Sequence, residues 1–220
     1  MKLFIDSANV EEIRRFNSIL KVDGVTTNPS ILTREHKPFD ELISGICGVL
    51  NEDQILFVQV VSTEYDTMMA EARYIAGIRK NIAVKVPVTE TGLRVIRSLH
   101  EEGIPTLGTS VLSAANGFMG AVNGASYLAP YVNRMCNYTD GVNEACLLQE
   151  MIDDNGLACD VIAASLKNTG QVRDLIAGGI RALTLPLDIL EQLVNSPLAD
   201  QAVEQFTAAW EKEYGRTTLR

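Results

Sequence analysis

Residues Asn81 to Thr89 read N-I-A-V-K-V-P-V-T and set one lysine, Lys85, in an apolar run of Ile82, Ala83, Val84, Val86, Pro87 and Val88. A run of this length, rich in β-branched residues and bounded by polar ones, reads as a strand buried on both faces. An ammonium there is costly unless it is paired or gives up its proton. Desolvation favours the neutral amine, and a neutral amine is a nucleophile for carbonyl carbons. The alternative is a lysine at a strand end whose long stem carries the charge out to water. What surrounds Lys85 decides between the two.

Outward from this strand, apolar runs alternate with amphipathic stretches along the whole chain. Strands are expected at Lys2–Asp6, Gly24–Thr27, Ile55–Val60, Ile82–Val86, Pro105–Thr109, Tyr127–Tyr131, Asp160–Ala164 and Ala182–Leu185. Their spacing of roughly 20 to 30 residues is that of strand–helix units. Helical patterns fill the intervals. Tyr65–Arg79 brings Met68, Met69, Ala72, Ile75 and Ala76 to one side, and Leu93, Ile96 and Leu99 do the same after Lys85. Gly24, Gly103, Gly124 and the pair Gly178–Gly179 close units where a positive φ is often needed. With no linker or low-complexity stretch, residues 1–220 are expected to form one domain, an α/β fold of the (β/α)8 TIM-barrel type. An open doubly wound sheet would compete, but the phosphate-cradling patterns G-x-G-x-x-G and G-x-x-x-x-G-K-[ST] are absent.

An extra helix is expected over Pro197–Tyr214, with Ser196 as N-cap and Pro197 at its first position. Val203, Phe206 and Trp210 fall on one face, a stripe that one barrel has no obvious place to bury beside its own helices. This predicts packing on a neighbouring subunit; the alternative is a fold-back over its own barrel.

The composition, 46% hydrophobic and 21% charged over 220 residues, suits an ordinary globular protein. A net charge of −9 argues against a nucleic-acid surface, since affinity for phosphate backbones rests on Lys and Arg. The four cysteines contain no C-x-x-C pair and suit neither a zinc site nor a compact disulfide framework. No signal-peptide pattern marks M-K-L-F-I-D and no apolar run is long enough to span a bilayer, so a reducing cytoplasm and no membrane are expected. His36 and His100 stand in polar surroundings and read as surface residues.

Barrels of this kind gather chemistry at the C-terminal ends of their strands. Asp6 ends the first strand, Thr26 and Asn28 the second, and Gln59 the third. Lys85 is on the fourth and Thr109 ends the fifth. Tyr131 with Arg134 follow the sixth, and Ser165 ends the seventh. Asp188, past the eighth, reads as a helix cap. Ser, Thr and Asn favour helix N-caps at such places, so Asp6-Ser7 before V-E-E-I and Thr89 read as caps equally well. A carboxylate, an amide, a lysine and a phenol converging on one mouth are harder to dismiss.

Taken together, F-I-D-S-A-N-V, G-V-T-T-N-P-S-I, V-K-V-P-V-T, G-I-P-T-L-G-T-S, Y-L-A-P-Y-V-N-R, A-A-S-L-K and T-L-P-L-D resemble the small transaldolases, most closely the fructose-6-phosphate aldolase branch. The resemblance covers essentially the whole chain. It implies a class I aldol mechanism without metal or other cofactor, acting on sugar phosphates. Lys85 matches the Schiff-base lysine and Asp6 the carboxylate near the bond that breaks. Thr109 and Gln59 match residues that position a water, and Tyr131 matches a phenol acting as acid and base through it. Thr26 and Asn28 match residues holding substrate or the lysine neighbourhood, and Arg134 and Ser165 match phosphate contacts. The resemblance also implies rings of five subunits paired into a decamer, a homo-oligomer built with the C-terminal helix. Two departures border the phosphate end: Leu166 stands where the branch has an aromatic residue, and M-C-N-Y-T-D-G follows Arg134 where the branch is Gly-rich. Larger transaldolases carry glutamate in place of Gln59 and phenylalanine in place of Tyr131. The branch is therefore expected to release dihydroxyacetone rather than only to transfer it, with transfer between sugar phosphates as the alternative.

Two further readings belong to other classes. A sugar-phosphate isomerase would need a base for the proton beside the carbonyl, usually Glu or His; no His ends a strand, and Asp6 is the only strand-end carboxylate. A non-catalytic barrel binding a sugar phosphate would tolerate loss of Lys85 or Tyr131, and both are present.

Overall fold

A computed structural model describes all residues from Met1 to Arg220. Eight parallel strands close into a barrel in sequence order: β1 (Lys2–Asp6), β2 (Gly24–Thr26), β3 (Ile55–Gln59), β4 (Ile82–Pro87), β5 (Thr106–Val111), β6 (Tyr127–Pro130), β7 (Asp160–Ala163) and β8 (Ala182–Leu185). The helices between them are α1 (Val10–Ile19), α2 (Pro29–Arg34), α3 (Phe39–Val49), α4 (Tyr65–Ala76), α5 (Glu90–Glu101), α6 (Ala114–Val122), α7 (Val132–Met135), α8 (Gly141–Asp154), α9 (Thr169–Ala177) and α10 (Leu187–Val194). α11 (Pro197–Tyr214) follows the last unit. The fold is thus a (β/α)8 barrel with a C-terminal helix, and each expected strand is present with ends shifted by at most two residues.

Side-chain alternation along the strands divides the core in two. Outward residues such as Val84, Val86 and Leu183 join buried residues of the helices in the large layer between barrel and helix ring. Inward residues Phe4, Phe57, Ala83, Leu107, Ala129, Ile162 and Ala182 form a separate cluster inside the barrel. Phe4 and Phe57 meet edge to face with centroids 5.3 Å apart, and Phe57 meets Tyr127 the same way at 5.2 Å. Beneath them Lys2 pairs with Asp160 at 3.1 Å and sits over the Tyr127 ring. These rings plug the N-terminal half of the barrel interior, and a cavity opens toward the C-terminal ends of the strands. Emptying that plug, as in Phe57→Ala, would cost about 3–5 kcal/mol.

The turn that carries Lys85 into α5 is fixed locally. Thr89 caps α5 by accepting from the Gly92 amide at 3.1 Å, while Val95, Ile96 and Leu99 bury one face against the barrel. Gly92 itself passes so close to the Pro87 carbonyl that a Cβ would stand 1.8 Å from its oxygen. Any larger residue there would push the helix off the end of β4.

Several local expectations change. α1 is capped by Asn9, whose Oδ1 accepts from Glu12, and Ser7 instead accepts from the Asn9 amide; the helix begins later than Asp6-Ser7 implies. Asp188 is not a cap. Pro186 takes the cap position of α10, and Asp188 lies in the first turn, where its charge suits the helix's positive end. α4 stops at Ala76, because Gly77 ends it three residues before the expected limit; Met68, Met69, Ala72 and Ile75 are buried as the period requires. Of the glycine pair, Gly179 has φ of 86° and Gly178 is an ordinary −78°. His36 and His100 are exposed.

α11 buries none of its residues: Leu198, Val203 and Phe206 are 78%, 61% and 74% exposed. It does not fold back over the barrel. No helix is long and apolar enough to cross a membrane.

Candidate active site

Above the aromatic plug, the inward positions change from apolar to polar on most strands, as from Phe4 to Asp6, Phe57 to Gln59 and Ala83 to Lys85; β7 keeps Ala164 after Ile162. Register aligns Asp6 with Thr26 and Gln59 with Lys85. Tyr131, just past β6, bridges to Ala164 beside β7. The result is a cavity of about 440 Å³ at the C-terminal mouth, lined by Asp6, Thr26, Asn28, Gln59, Lys85, Tyr131, Arg134 and Ser165 among others. Of the residues expected at the site, only Thr109 does not line it; Thr109 is fully buried one layer behind.

Lys85 is 4% exposed, and its Nζ donates to the Thr27 carbonyl oxygen at 2.7 Å. Burial pulls its pKa below the ordinary lysine value, and Asp6 and Tyr131 oppose that pull only in part. The lysine therefore does not reach out to water. It is the desolvated amine of the first reading.

Asp6 faces it across the barrel. Burial raises the Asp6 pKa above the ordinary carboxylate value, against the counter-pull of Lys85, Thr26, Arg34 and Lys167. The Thr26 hydroxyl donates to Asp6 Oδ1 at 2.7 Å and lies 2.6 Å from the Thr184 hydroxyl, so a buried hydroxyl pair steadies the carboxylate.

The Tyr131 phenol lies 3.0 Å from the Thr109 hydroxyl. Burial works to raise its pKa, but Thr109, the charge of Lys85, Ser110 and Arg134 together bring it below the ordinary tyrosine value. Arg134 holds its guanidinium 4.9 Å from the centre of the same ring. A phenol eased toward ionisation beside an amine eased toward neutrality is a matched acid–base pair.

Gln59 brings a different feature: its Oε1 is buried with no hydrogen-bond partner. An amide oxygen in that condition is ready to accept from a water or a substrate hydroxyl. Asn28 has a structural duty, since its Oδ1 accepts from Ile31 as the cap of α2. Ser165 sits at φ of 61°, a left-handed conformation uncommon for serine, which marks a local strain at the mouth.

Among the members of the wall that sequence reasoning missed are Arg34, Lys167, Thr184 and Ser110. Arg34 ends the short helix α2, and Lys167 follows Leu166 in the loop after β7; both line the cavity as exposed cations. Thr184 lies on β8 and Ser110 next to Thr109 on β5. A strand-end rule could have found Thr184. Arg34 carried no strand signal, because it lies eight residues beyond the end of β2 at Thr26.

Comparison with known proteins agrees on the fold and on the family. Structures of similar shape include a mutant flavocytochrome b2, at 11% identity and a TM-score of 0.59, covering 84% of this chain and 56% of that one. The chain thus spans little more than half of that protein. A thiamine phosphate pyrophosphorylase from Pyrococcus furiosus matches at 14% identity and a TM-score of 0.56, over 84% of this chain and 85% of that one. At such identities the likeness is one of barrel architecture. The model of one family, described as transaldolase/fructose-6-phosphate aldolase, matches residues 3–218, nearly the whole chain, and to that family the protein belongs.

Proposed function

We propose that this protein is a Schiff-base aldolase that cleaves fructose 6-phosphate to dihydroxyacetone and glyceraldehyde 3-phosphate, or joins them. The observation that carries the reading is Lys85: a buried amine with a lowered pKa on the wall of the cavity, between Asp6 and Tyr131. The neutral amine attacks the ketose carbonyl and loses water to give an iminium ion. The iminium draws the electrons of the C3–C4 bond toward nitrogen. Asp6, within the field of Lys85, suits the task of taking the proton from the C4 hydroxyl as the aldehyde departs. An enamine of dihydroxyacetone is left on the lysine.

Its fate separates the aldolase from a transaldolase. Protonation at carbon followed by hydrolysis frees dihydroxyacetone, and this needs a proton donor. Tyr131, with Thr109 behind it, is suited to that role through a water accepted by the free Oε1 of Gln59. Arg134, Ser165, Lys167 and Arg34 give the mouth the positive charge that a phosphate dianion requires. The exposed apolar stripe of α11 favours a homo-oligomer, and the family resemblance implies a decamer of two pentameric rings as its form. Four free thiols suit a reducing cytoplasm.

Borohydride reduction in the presence of fructose 6-phosphate tests the lysine chemistry. The expected result is a stable adduct on Lys85, found by peptide mass mapping, with free dihydroxyacetone among the products when no acceptor is added. Absence of any adduct would mean an isomerase or a binding barrel instead.

A further inference from the structure

Besides Lys85, three basic residues line the mouth: Arg134 on α7, Lys167 in the loop after β7 and Arg34 at the end of α2. The protein carries a net charge of −9, and Arg14, Arg15, Arg73, Arg97, Arg173 and Arg181 each meet a carboxylate. None of the three at the mouth does. Arg134 lies over the Tyr131 ring, but the Arg34 guanidinium has no ion pair, hydrogen bond or ring contact within the chain. Its base is nonetheless fixed: α2 is six residues long, capped by Asn28 at 3.0 Å and begun by Pro29, and it delivers Arg34 to the cavity. The Lys167 amide is held by Gln171 at 2.8 Å, and Gln171 reaches on to Asn133 beside Arg134.

Strand order separates these cations. Round the closed barrel, β2, which leads into α2, stands opposite β6, which leads into α7. Lys167 follows β7, from which β8 leads round to β1 and Asp6. The electrostatics divide the same way, since the charges of Arg34 and Lys167 act on Asp6 and that of Arg134 acts on Tyr131. A phosphate held by Arg134 and Ser165 therefore leaves a guanidinium without an anion on the far wall.

We propose that Arg34, with Lys167, forms a second anion subsite opposite Arg134, so that the mouth admits ketoses phosphorylated at both ends, such as fructose 1,6-bisphosphate. The chemistry of this proposal rests on the aldolase reading; the binding rests on where the cations stand. The C6 phosphate keeps Arg134 and Ser165, and the C1 phosphate takes the fork of Arg34. The steps are otherwise the same. Lys85 forms the iminium with loss of one water, Asp6 takes the C4 hydroxyl proton, and the C3–C4 electron pair passes into the enamine as glyceraldehyde 3-phosphate departs. Protonation at C3 and return of one water release dihydroxyacetone phosphate in place of dihydroxyacetone.

Arg34 is exposed and bonds to no other residue, so Arg34→Ala removes the charge without disturbing the core. Binding is read by calorimetry on the whole protein with D-glucitol 6-phosphate and D-glucitol 1,6-bisphosphate, which have no carbonyl and cannot form an imine. The native protein should prefer the bisphosphate by about 10-fold or more, and Arg34→Ala should lower that preference by about 10-fold, the effect of one charge-assisted hydrogen bond. Fructose 1,6-bisphosphate should yield dihydroxyacetone phosphate. Equal affinity of the native protein for the two alcohols, or a preference that survives Arg34→Ala, overturns the proposal. A preference that falls as far in Arg134→Ala would mean one shared phosphate site and overturns it too. So does a native protein that cleaves fructose 6-phosphate but not the bisphosphate. If neither sugar is cleaved and borohydride traps no imine, the aldolase reading fails, and the glucitol preference decides the subsite by itself.

Discussion

Lys85 gives its hydrogen bond to a neutral acceptor, the carbonyl oxygen of Thr27 at 2.7 Å, rather than to a carboxylate. A buried ammonium held this way keeps a desolvation penalty that a paired one would offset. The direction of the Lys85 shift says the same: burial lowers the pKa, and Asp6 restores only part of it.

That relationship predicts a trade between stability and activity at one residue. With the folded pKa below the unfolded one, the stability linked to Lys85 is present above the unfolded value, and is lost as pH falls through the folded value. A methionine of similar shape carries no charge to desolvate. Lys85→Met should abolish turnover yet be more stable than the parent by about 1 kcal/mol near neutral pH. The gap should close as pH rises to about 11, past the ordinary lysine range. Thermal unfolding across that range measures it. A deficit that stays constant with pH would mean that Lys85 is not a strained cation. Lys85→Arg, which keeps the charge but cannot form an imine, should be equally inactive.

Arg134 is exposed at the mouth and holds its guanidinium over the Tyr131 ring. Its work should be to bind the phosphate end of the substrate. Arg134→Ala should raise KM for phosphorylated aldehydes about 10-fold or more, the value of a charge-assisted hydrogen bond. Unphosphorylated acceptors should change little. If kcat fell equally for both classes, the residue would belong to proton transfer at Tyr131 instead.

α11 contributes nothing to the core of its own barrel, so its removal should leave that core intact. Ending the chain before Pro197 should lower the mass seen in light scattering while far-ultraviolet dichroism per residue stays barrel-like. Phe206→Asp, which charges the most exposed part of the Val203–Phe206 face, should weaken assembly in the same direction. An oligomer unchanged in both would refute the role given to the helix.

Most of the barrel was readable because its signal is regular. Apolar runs separated by amphipathic helices leave eight strand ends, and a parallel barrel brings all of them to one mouth, so Asp6, Gln59, Lys85 and Tyr131 meet as a consequence of topology. What escaped were residues whose placement breaks the two-residue period or depends on very short helices. Ser110 reads as an outward residue until a register slip between Gly108 and Val111 turns it. Arg34 rides on α2, too short to show a helical period of its own. Asn28 was found for its position at the strand end, yet its oxygen is spent capping α2, which no strand pattern reveals.

The last prediction concerns the fate of the enamine and turns on Tyr131. In the proposed reaction, cleavage needs Lys85 and a base for the C4 hydroxyl, and release of dihydroxyacetone also needs a proton at carbon. The Tyr131 phenol, 3.0 Å from Thr109 and lowered in pKa by its neighbours, can give that proton and recover it. Phenylalanine fills the same space beneath Arg134 and has no proton to give. Tyr131→Phe should therefore leave imine trapping with fructose 6-phosphate intact and slow the release of dihydroxyacetone by about 100-fold, the lower range for general acid catalysis. The longer-lived enamine should then be captured by an added acceptor, so the ratio of transfer to erythrose 4-phosphate over release should rise. Product ratios by chromatography, with and without erythrose 4-phosphate, measure this directly. If the unaltered protein already transfers readily and releases almost nothing, it is a transaldolase, and the phenol is only a wall of the cavity.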